Sequence, residues 1–518
     1  NLKFNQMLVK TYGSAVYGIN AQTITIEVNV SIGIKYFLVG LPDNAVKESQ
    51  QRITSALTEC GYKMPGKKIV INMAPADIRK EGSYFDLPLA IAILAASRQI
   101  ETGELDNYLI MGELSLDGSL QSMKGALPMA IQARNEGFKG IILPKQNAQE
   151  AAIVNNLEVL GVEHISEVID FLDKGIKPPK TEVNTRDEFL KNLNNFDIDI
   201  EDVKGQETAK RALEIAAAGG HNIILIGPPG VGKTMLAKRL PTILPPLSLN
   251  EALETTKIHS VSGKLGSQTS LLTSRPFRSP HHTISNVALV GGGSNPQPGE
   301  ISLAHNGVLF LDELPEFQRQ VLEVLRQPLE DRTVTISRAK LSVDFPASFM
   351  LVASMNPSPS GNFYDPTDAN SDAEHVVKKY LSKISGPLLD RIDLHVEVNP
   401  VPFDELATST KGESSADIRK RVIKAREFQN ERFVDFEGIH CNAQLPPKLI
   451  KKYCEVDEAG NLLIKTAMDK LGFSARSYAR ILKLSRTIAD LEESEKIEPN
   501  HIAEAIQYRT LDRDGWGT

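Results

Sequence analysis

The 518-residue sequence predicts an α/β protein: an amino-terminal α/β domain, a core built on a parallel sheet, and a helical tail. Three observations carry this reading. In ITIEVNVSI, residues Ile24, Ile26, Val28, Val30 and Ile32 alternate along one face, the period-two pattern of a half-buried strand. Beyond Val203, apolar runs such as NIILI and GVLFL alternate with helical stretches, as strands covered on both faces of a parallel sheet do. From about Pro446 the pattern is mainly helical. A chain of this length exceeds one hydrophobic core, so two or three domains are expected.

Taken in order, KKIVINMAP and KGIILPK read as further strands, and DLPLAIAILAAS and NAQEAAIV as helices, which places an α/β domain of mixed order over residues 1–174. Residues 175–202 are polar, contain Pro178 and Pro179, and lack a sustained apolar period, so they read as a linker. The core is expected over 203–400 and a helical lid over 401–518. No apolar run approaches the roughly 20 residues of a membrane span. The amino terminus lacks the zones of a secretory signal, and Met7 is a candidate natural start because Asn1 is no initiator. Three cysteines, Cys60, Cys441 and Cys454, are too sparse for a disulfide framework, so a reducing cytoplasm is expected. The net charge of −7 gives no global attraction to nucleic acid, which leaves such contact to a local basic surface.

The strand NIILI runs into GPPGVGKT, residues Gly227, Pro228, Pro229, Gly230, Val231, Gly232, Lys233 and Thr234, the phosphate-binding loop in its strand-to-helix setting. Glycines let backbone N–H groups converge on phosphate oxygens, and the helix start adds positive potential. Lys233 reaches the β and γ phosphates of ATP, and the Thr234 hydroxyl is placed to ligate Mg²⁺. Downstream, GVLFLDE ends a buried strand on Asp312 and Glu313. Asp312 is expected to hold the Mg²⁺ water shell, and Glu313 to orient and deprotonate the attacking water, so hydrolysis rather than binding alone is implied. An acidic pair opening a solvated loop is the bland alternative. Two more strands end in polar residues: SFMLVASMNP presents Asn356, and LLDRIDLHVEV carries Arg391.

With FSARSYARILKLSRTIADL in the tail, these motifs resemble an AAA+ ATPase of the branch shared by magnesium-chelatase subunits and MCM helicases. Together with LPDNAVKES, GELSLDGSL and KGALPMA, the whole chain resembles the ComM (YifB) group of magnesium-chelatase-like AAA+ proteins. The resemblance implies that Asn356 is sensor 1, Arg391 the arginine finger and Arg476 sensor 2, and that the unit is a homo-hexamer. It further implies a branch-migration motor on single-stranded or branched DNA, working in recombination or natural transformation beside recombination proteins. In the competing local readings, Arg391 pairs with Asp390 or Asp393, and Arg476, Arg480 and Lys483 form a solvated basic stripe. A rival from another class is a protein-remodelling ATPase of the chelatase-subunit type, against which stands the fused amino-terminal domain. A third reading is a non-enzymatic, ATP-gated scaffold, against which stand Glu313 and Arg391.

Residues 255–299 contain no Asp or Glu but do carry Lys257, Lys264, Arg275 and Arg278. The segment resembles the helix-2 insertion of this branch, a loop facing the ring channel. A second basic segment, EDRTVTISRAKLSV, is expected to form a hairpin flanked by Arg332, Arg338 and Lys340. Two such loops would track a DNA backbone without regard to sequence. The pair His281 and His282 is expected to point in divergent directions and to make structural or inter-subunit hydrogen bonds rather than bind metal. Relatives often carry clustered cysteines after the sensor Asn-Pro, whereas MNPSPSGNFYDPTDAN has none, so a zinc role does not carry over. The amino-terminal domain resembles the proteolytic domain of Lon and, in its expected tasks of assembly and substrate positioning, that of RadA-type repair proteins. Tyr84 falls where the nucleophilic serine belongs and Leu127 where the lysine belongs, so a non-catalytic platform is expected.

Overall fold

Period-two alternation in the first hundred residues becomes the first four strands of a seven-stranded mixed sheet. Its strands are β1 (Leu8–Tyr17), β2 (Asn20–Ser31), β3 (Tyr36–Val39), β4 (Lys68–Ala74), β5 (Tyr108–Ile110), β6 (Gly140–Pro144) and β7 (Glu158–Val162), in spatial order β3-β4-β2-β1-β5-β6-β7. This computed structural model describes residues 8–101, 103–192, 196–266, 269–293, 295–338, 341–361, 372–403, 412–436, 438–473 and 475–509. On β2 the side chains of Ile24, Ile26 and Val28 are fully buried, but the strand ends at Ser31 and Ile32 is 91% exposed. The expected alternation therefore overruns the strand, because the ladder to β4 ends at the Ser31–Lys68 pair.

Helices α1 (Asn44–Glu59), α2 (Asp86–Ala96), α3 (Ala126–Asn135), α4 (Lys145–Ala151) and α5 (Ile165–Lys174) accompany this sheet. Every residue of α2 is buried, as expected for a helix apolar on all sides. The expected linker contains a helix, Thr185–Asn192. Asn184 caps it by accepting the Asp187 N–H at 3.3 Å, and acids at positions 187 and 188 suit its amino-terminal dipole.

The chain divides into two compact units, Asn1–Asn192 with Leu249–Thr273, and Leu193–Ser248 with Ser274–Thr518. The boundary thus differs from the expected one: residues 249–273, which interrupt the core in sequence, pack in the first unit. Their helix, Leu249–Ser262, buries Ala252, Ile258 and Val261 and rests on α3, where the Gly125 N–H donates to the Ser260 carbonyl at 3.1 Å.

The second unit contains a five-stranded, all-parallel sheet of β8 (Ile223–Ile226), β9 (Phe277–Arg278), β10 (Val308–Leu311), β13 (Met350–Met355) and β14 (Leu394–Glu397), ordered β9-β10-β13-β8-β14. A hairpin of β11 (Thr333–Arg338) and β12 (Leu341–Pro346) precedes β13. Helices α6 (Glu207–Gly219) and α7 (Lys233–Ile243) flank the sheet, and α8 (Ser415–Phe433) and α9 (Ala475–Leu491) belong to the tail. One hydrophobic cluster joins Leu213, Leu240 and Val352 to Val422, Ile488 and Ile502, so the expected core and lid are a single packed body. A parallel sheet sends all its strand ends to one edge, and that edge collects the site.

Candidate functional site

The loop after β8 has its shape because particular positions tolerate only glycine. Gly230 and Gly232 adopt φ of +81° and +95° in open space, and a Cβ on Gly227 would stand 2.1 Å from the Val398 carbonyl oxygen. Helix α7 starts at Lys233, so the loop's N–H groups and the positive helix end face one cavity of about 360 Å³. That cavity is lined by Pro229, Lys233, Thr234, Asp312, Glu313 and Asn356 among others. The Lys233 ammonium donates to the carbonyls of Gly227 (2.6 Å) and Pro228 (2.8 Å) and to Asn356 Oδ1 (3.1 Å). Burial pushes its pKa down, offset in part by the charges of Asp312 and Glu313. An ammonium folded back onto its own loop is a cation with removable partners, which suits a polyphosphate ligand.

The Thr234 hydroxyl donates to Asp312 Oδ2 at 2.9 Å, so the two residues expected to hold Mg²⁺ already touch. A hydroxyl and a carboxylate are hard oxygen donors and fit that ion. Ser354, next to the last residue of β13, donates to the other Asp312 oxygen and accepts the Glu313 N–H at 3.3 Å. It lines the same cavity and is not among the residues the sequence points to, although it is the lone hydroxyl in the apolar run MLVASM. Glu313 itself has φ of +55°, a left-handed backbone that a non-glycine residue adopts at a cost of order 1–3 kcal/mol. The geometry turns the backbone sharply at the strand end and leaves the carboxylate exposed.

Arg391 and Arg476 do not join this cavity. They line a separate cleft of about 580 Å³ with Arg332, Arg480 and Lys483, and no residue is common to the two. Arg391 precedes β14, whereas the phosphate loop follows its parallel neighbour β8; the four strand residues between put the two ends about 13 Å apart. The Arg391 guanidinium pairs with Glu330 and donates to the Pro387 carbonyl, and its Nε has no hydrogen-bond partner. Asp390 instead accepts from Arg476, and Asp393 from Arg480. Lys483 donates to the Ala443 carbonyl at 2.9 Å and is mostly buried, with its pKa pushed down by that burial. The two local alternatives therefore take a different form here: Arg391 is held by neither expected aspartate, and of the basic stripe only Arg476 is largely exposed.

Three of the five expected DNA-contacting residues, Arg275, Arg278 and Arg332, are occupied within the protein. Arg275 donates to the carbonyls of Pro245, Asn306 and Pro246, and Arg278 forks onto Glu300 at 2.6 and 2.8 Å. The partner of Arg278 is the first acid beyond the acid-free stretch, so its local charge bias is balanced just outside it. Arg332 donates to the Gly438 carbonyl at 2.8 Å. The hairpin forms as expected, but the side chain of Arg338 and all of Lys340 lie outside the described residues. His281 and His282 do not diverge: their rings are 4.1 Å apart and tilted by 34°, because the chain turns there instead of extending. His282 Nδ1 lies 3.8 Å from the Glu313 carboxylate.

In the first unit the two positions aligned with a hydrolytic pair are packed away. Tyr84 is half-buried, with desolvation of its hydroxyl pushing its pKa up, and Leu127 is fully buried with its N–H donating to Glu150 at 2.9 Å.

Residues 199–406 match the family described as magnesium chelatase, subunit ChlI; residues 412–509 match its C-terminal part, and residues 26–147 match the family described as subunit ChlI of Mg-chelatase. The chain is 45% identical over 509 residues to the competence protein ComM of Haemophilus influenzae, covering 98% of both chains. It is 45% identical over 504 residues to the protein YifB of Escherichia coli, covering 96% of both. A shorter stretch of 155 residues is 33% identical to Lon protease 2 of Bacillus subtilis, 27% of each chain.

Proposed function

Because the chain belongs to the ComM (YifB) family of magnesium-chelatase-like AAA+ ATPases, we propose that it is a ring motor that hydrolyses ATP to move on branched or single-stranded DNA. The observation that carries the ring is the placement of Arg391 and Arg476 at the sheet edge opposite the phosphate loop. In this reading each subunit offers its loop, Asp312, Glu313 and Asn356 to one neighbour and its arginines to the other, and a hexamer closes the circle.

Within one composite site, Lys233 and the loop N–H groups bind and orient the triphosphate. Thr234 and Asp312 hold Mg²⁺, which neutralises phosphate charge when bound. Glu313 accepts a proton from the attacking water, Asn356 orients that water, and the neighbour's Arg391 spreads charge from the transferring phosphoryl oxygens. Arg391 must leave Glu330 to do so. Arg476, at the same edge, completes the clamp.

DNA as the substrate is supported by resemblance to a competence protein and by the basic hairpin. The engaged state of Arg275 and Arg278 shifts the expected DNA contact toward Arg338 and Lys340. A second reading, a remodelling motor of the chelatase type, is favoured by one observation: residues 26–147 match under a chelatase-subunit description, so the amino-terminal domain does not by itself exclude it. Turnover measured with single-stranded, duplex and four-way-junction DNA separates the two. Stimulation by DNA is expected, most by the junction; turnover indifferent to all three overturns the DNA reading and leaves the remodeller.

A further inference from the structure

The start of β14, and with it Arg391, is hung on the side chain that opens NIILI and has no part in the phosphate loop. Asn222 stands just before β8 at the edge of the sheet away from the phosphate loop, and it is half-buried. Its Nδ2 donates to the Arg391 carbonyl oxygen at 2.8 Å, and its Oδ1 accepts the Leu351 N–H of β13 at 2.8 Å. Its own carbonyl accepts the N–H groups of Asp393 (2.9 Å) and Leu394 (3.0 Å). Residue 222 is thus the node where three parallel strands begin.

We infer that Asn222 is the positioning residue for Arg391, registering the arginine given to one neighbour on the two strands that carry the chain's own phosphate contacts. This rests on the reading that Arg391 acts across an interface. The chemistry calls for an asparagine. A short planar amide donates from one atom and accepts at the other, and both functions are used here. Arg509 also grips the turn from outside, donating to the carbonyls of Ile392 (2.6 Å) and Asp393 (3.1 Å), but the Arg391 backbone itself is held by Asn222 at its carbonyl and, from within the turn, by the Leu388 carbonyl at its N–H. The guanidinium must exchange Glu330 for a phosphoryl oxygen, so its backbone needs an anchor that stays put while the side chain swings. Asn222 supplies that anchor from β8, which runs into the Lys233 loop, and from β13, which runs into Asn356.

The test is Asn222→Asp in the full chain. The carboxylate keeps the acceptor for Leu351 but replaces the donor with an oxygen facing the Arg391 carbonyl. ATP binding is expected to stay at the wild-type level while turnover falls on the order of 10²-fold, the effect of about 1 Å of misplacement at a reacting group. Mixed rings then distinguish a positional role from a general structural one. In rings mixing Asn222→Asp with Glu313→Gln subunits, the first supplies an intact base and the second an intact arginine, so hydrolysis is expected to recover at those interfaces. Rings mixing Arg391→Ala with Glu313→Gln are the reference. Recovery in the reference but not with Asn222→Asp overturns the inference alone. Recovery in neither overturns the trans reading and the inference with it. Full turnover by Asn222→Asp also overturns the inference. Should the carboxylate unfold the chain, Asn222→Ser removes the strap without adding charge and is held to the same outcomes.

Discussion

The two edges of the five-stranded sheet are made by the same strands and have opposite equipment. At the carboxyl-terminal edge, the Gly227–Thr234 loop, Asp312, Glu313 and Asn356 surround a cavity with a phosphate cradle, two carboxylates and one lysine. At the amino-terminal edge, Arg391, Arg476 and Arg480 line a cleft with an excess of cations and no cradle. Neither edge is a complete site for hydrolysing a triphosphate, and the strand length keeps them from meeting within one chain. On the ring reading proposed above, the difference means that the reacting groups are divided so that chemistry waits on a neighbour.

The comparison breaks first at the loop. Lys233→Ala is expected to reduce ATPase turnover to background and to abolish ATP binding, read by steady-state hydrolysis and nucleotide titration; wild-type turnover removes the carboxyl-terminal edge from the mechanism. Next comes Arg391→Ala, for which a loss of about 10³-fold or more in turnover with ATP binding retained is expected, as for other arginine fingers. Loss of binding together with turnover would place Arg391 in the cis site and erase the contrast between the edges. Ser354→Ala tests how far the carboxylates depend on their support. Turnover is expected to fall about 10-fold with a raised Mg²⁺ requirement, because Asp312 loses a charge-assisted hydrogen bond worth about 1.5–3 kcal/mol. An unchanged Mg²⁺ profile would make that hydroxyl a packing group.

Arg278→Ala is expected to lower stability by about 1–3 kcal/mol, since it removes the forked ion pair to the mostly buried Glu300, and to leave the salt dependence of DNA binding unaltered. A salt slope reduced by about one unit would return Arg278 to the DNA surface. The smallest effect is set by pH. His221 is fully buried, and burial pushes its pKa down more than the Asp393 carboxylate pulls it up; His395 is likewise lowered, by burial and by the Arg509 cation. Both folded values lie below the unfolded value of about 6.5. The unfolded chain therefore takes up protons first as pH falls through that value. Stability of the second unit should be constant above about pH 7 and decline below 6.5, by up to about 1.4 kcal/mol per pH unit for each histidine. Urea midpoints that rise on acidification would contradict this.

Much of the carboxyl-terminal edge was legible because its chemistry is local in the chain. GPPGVGKT needs glycine where φ is positive, and GVLFLDE and MLVASMNP are apolar strands ending in polar residues at the same edge. Arg275 and Arg278 were misleading in the opposite sense. A stretch without acids looks like an exposed basic loop, yet backbone carbonyls, which no composition reveals, occupy Arg275, and an acid one residue past the stretch occupies Arg278. The assignment of residues 249–273 to the first unit was equally hidden, because it depends on which surface buries the apolar face of one helix.

By itself the sequence determined the strand-loop-helix that cradles phosphate, the acidic strand end and the all-parallel core. Each of these follows from neighbouring residues whose periodicity or side-chain chemistry is self-sufficient. Only the tertiary structure decided which carboxylate pairs with which arginine, that His282 lies beside Glu313, and that Asn222 ties Arg391 to β13. Those outcomes join residues from about 30 to 170 positions apart. A hydrogen bond is decided by where strands begin and end in space, and that is a property of the packed sheet.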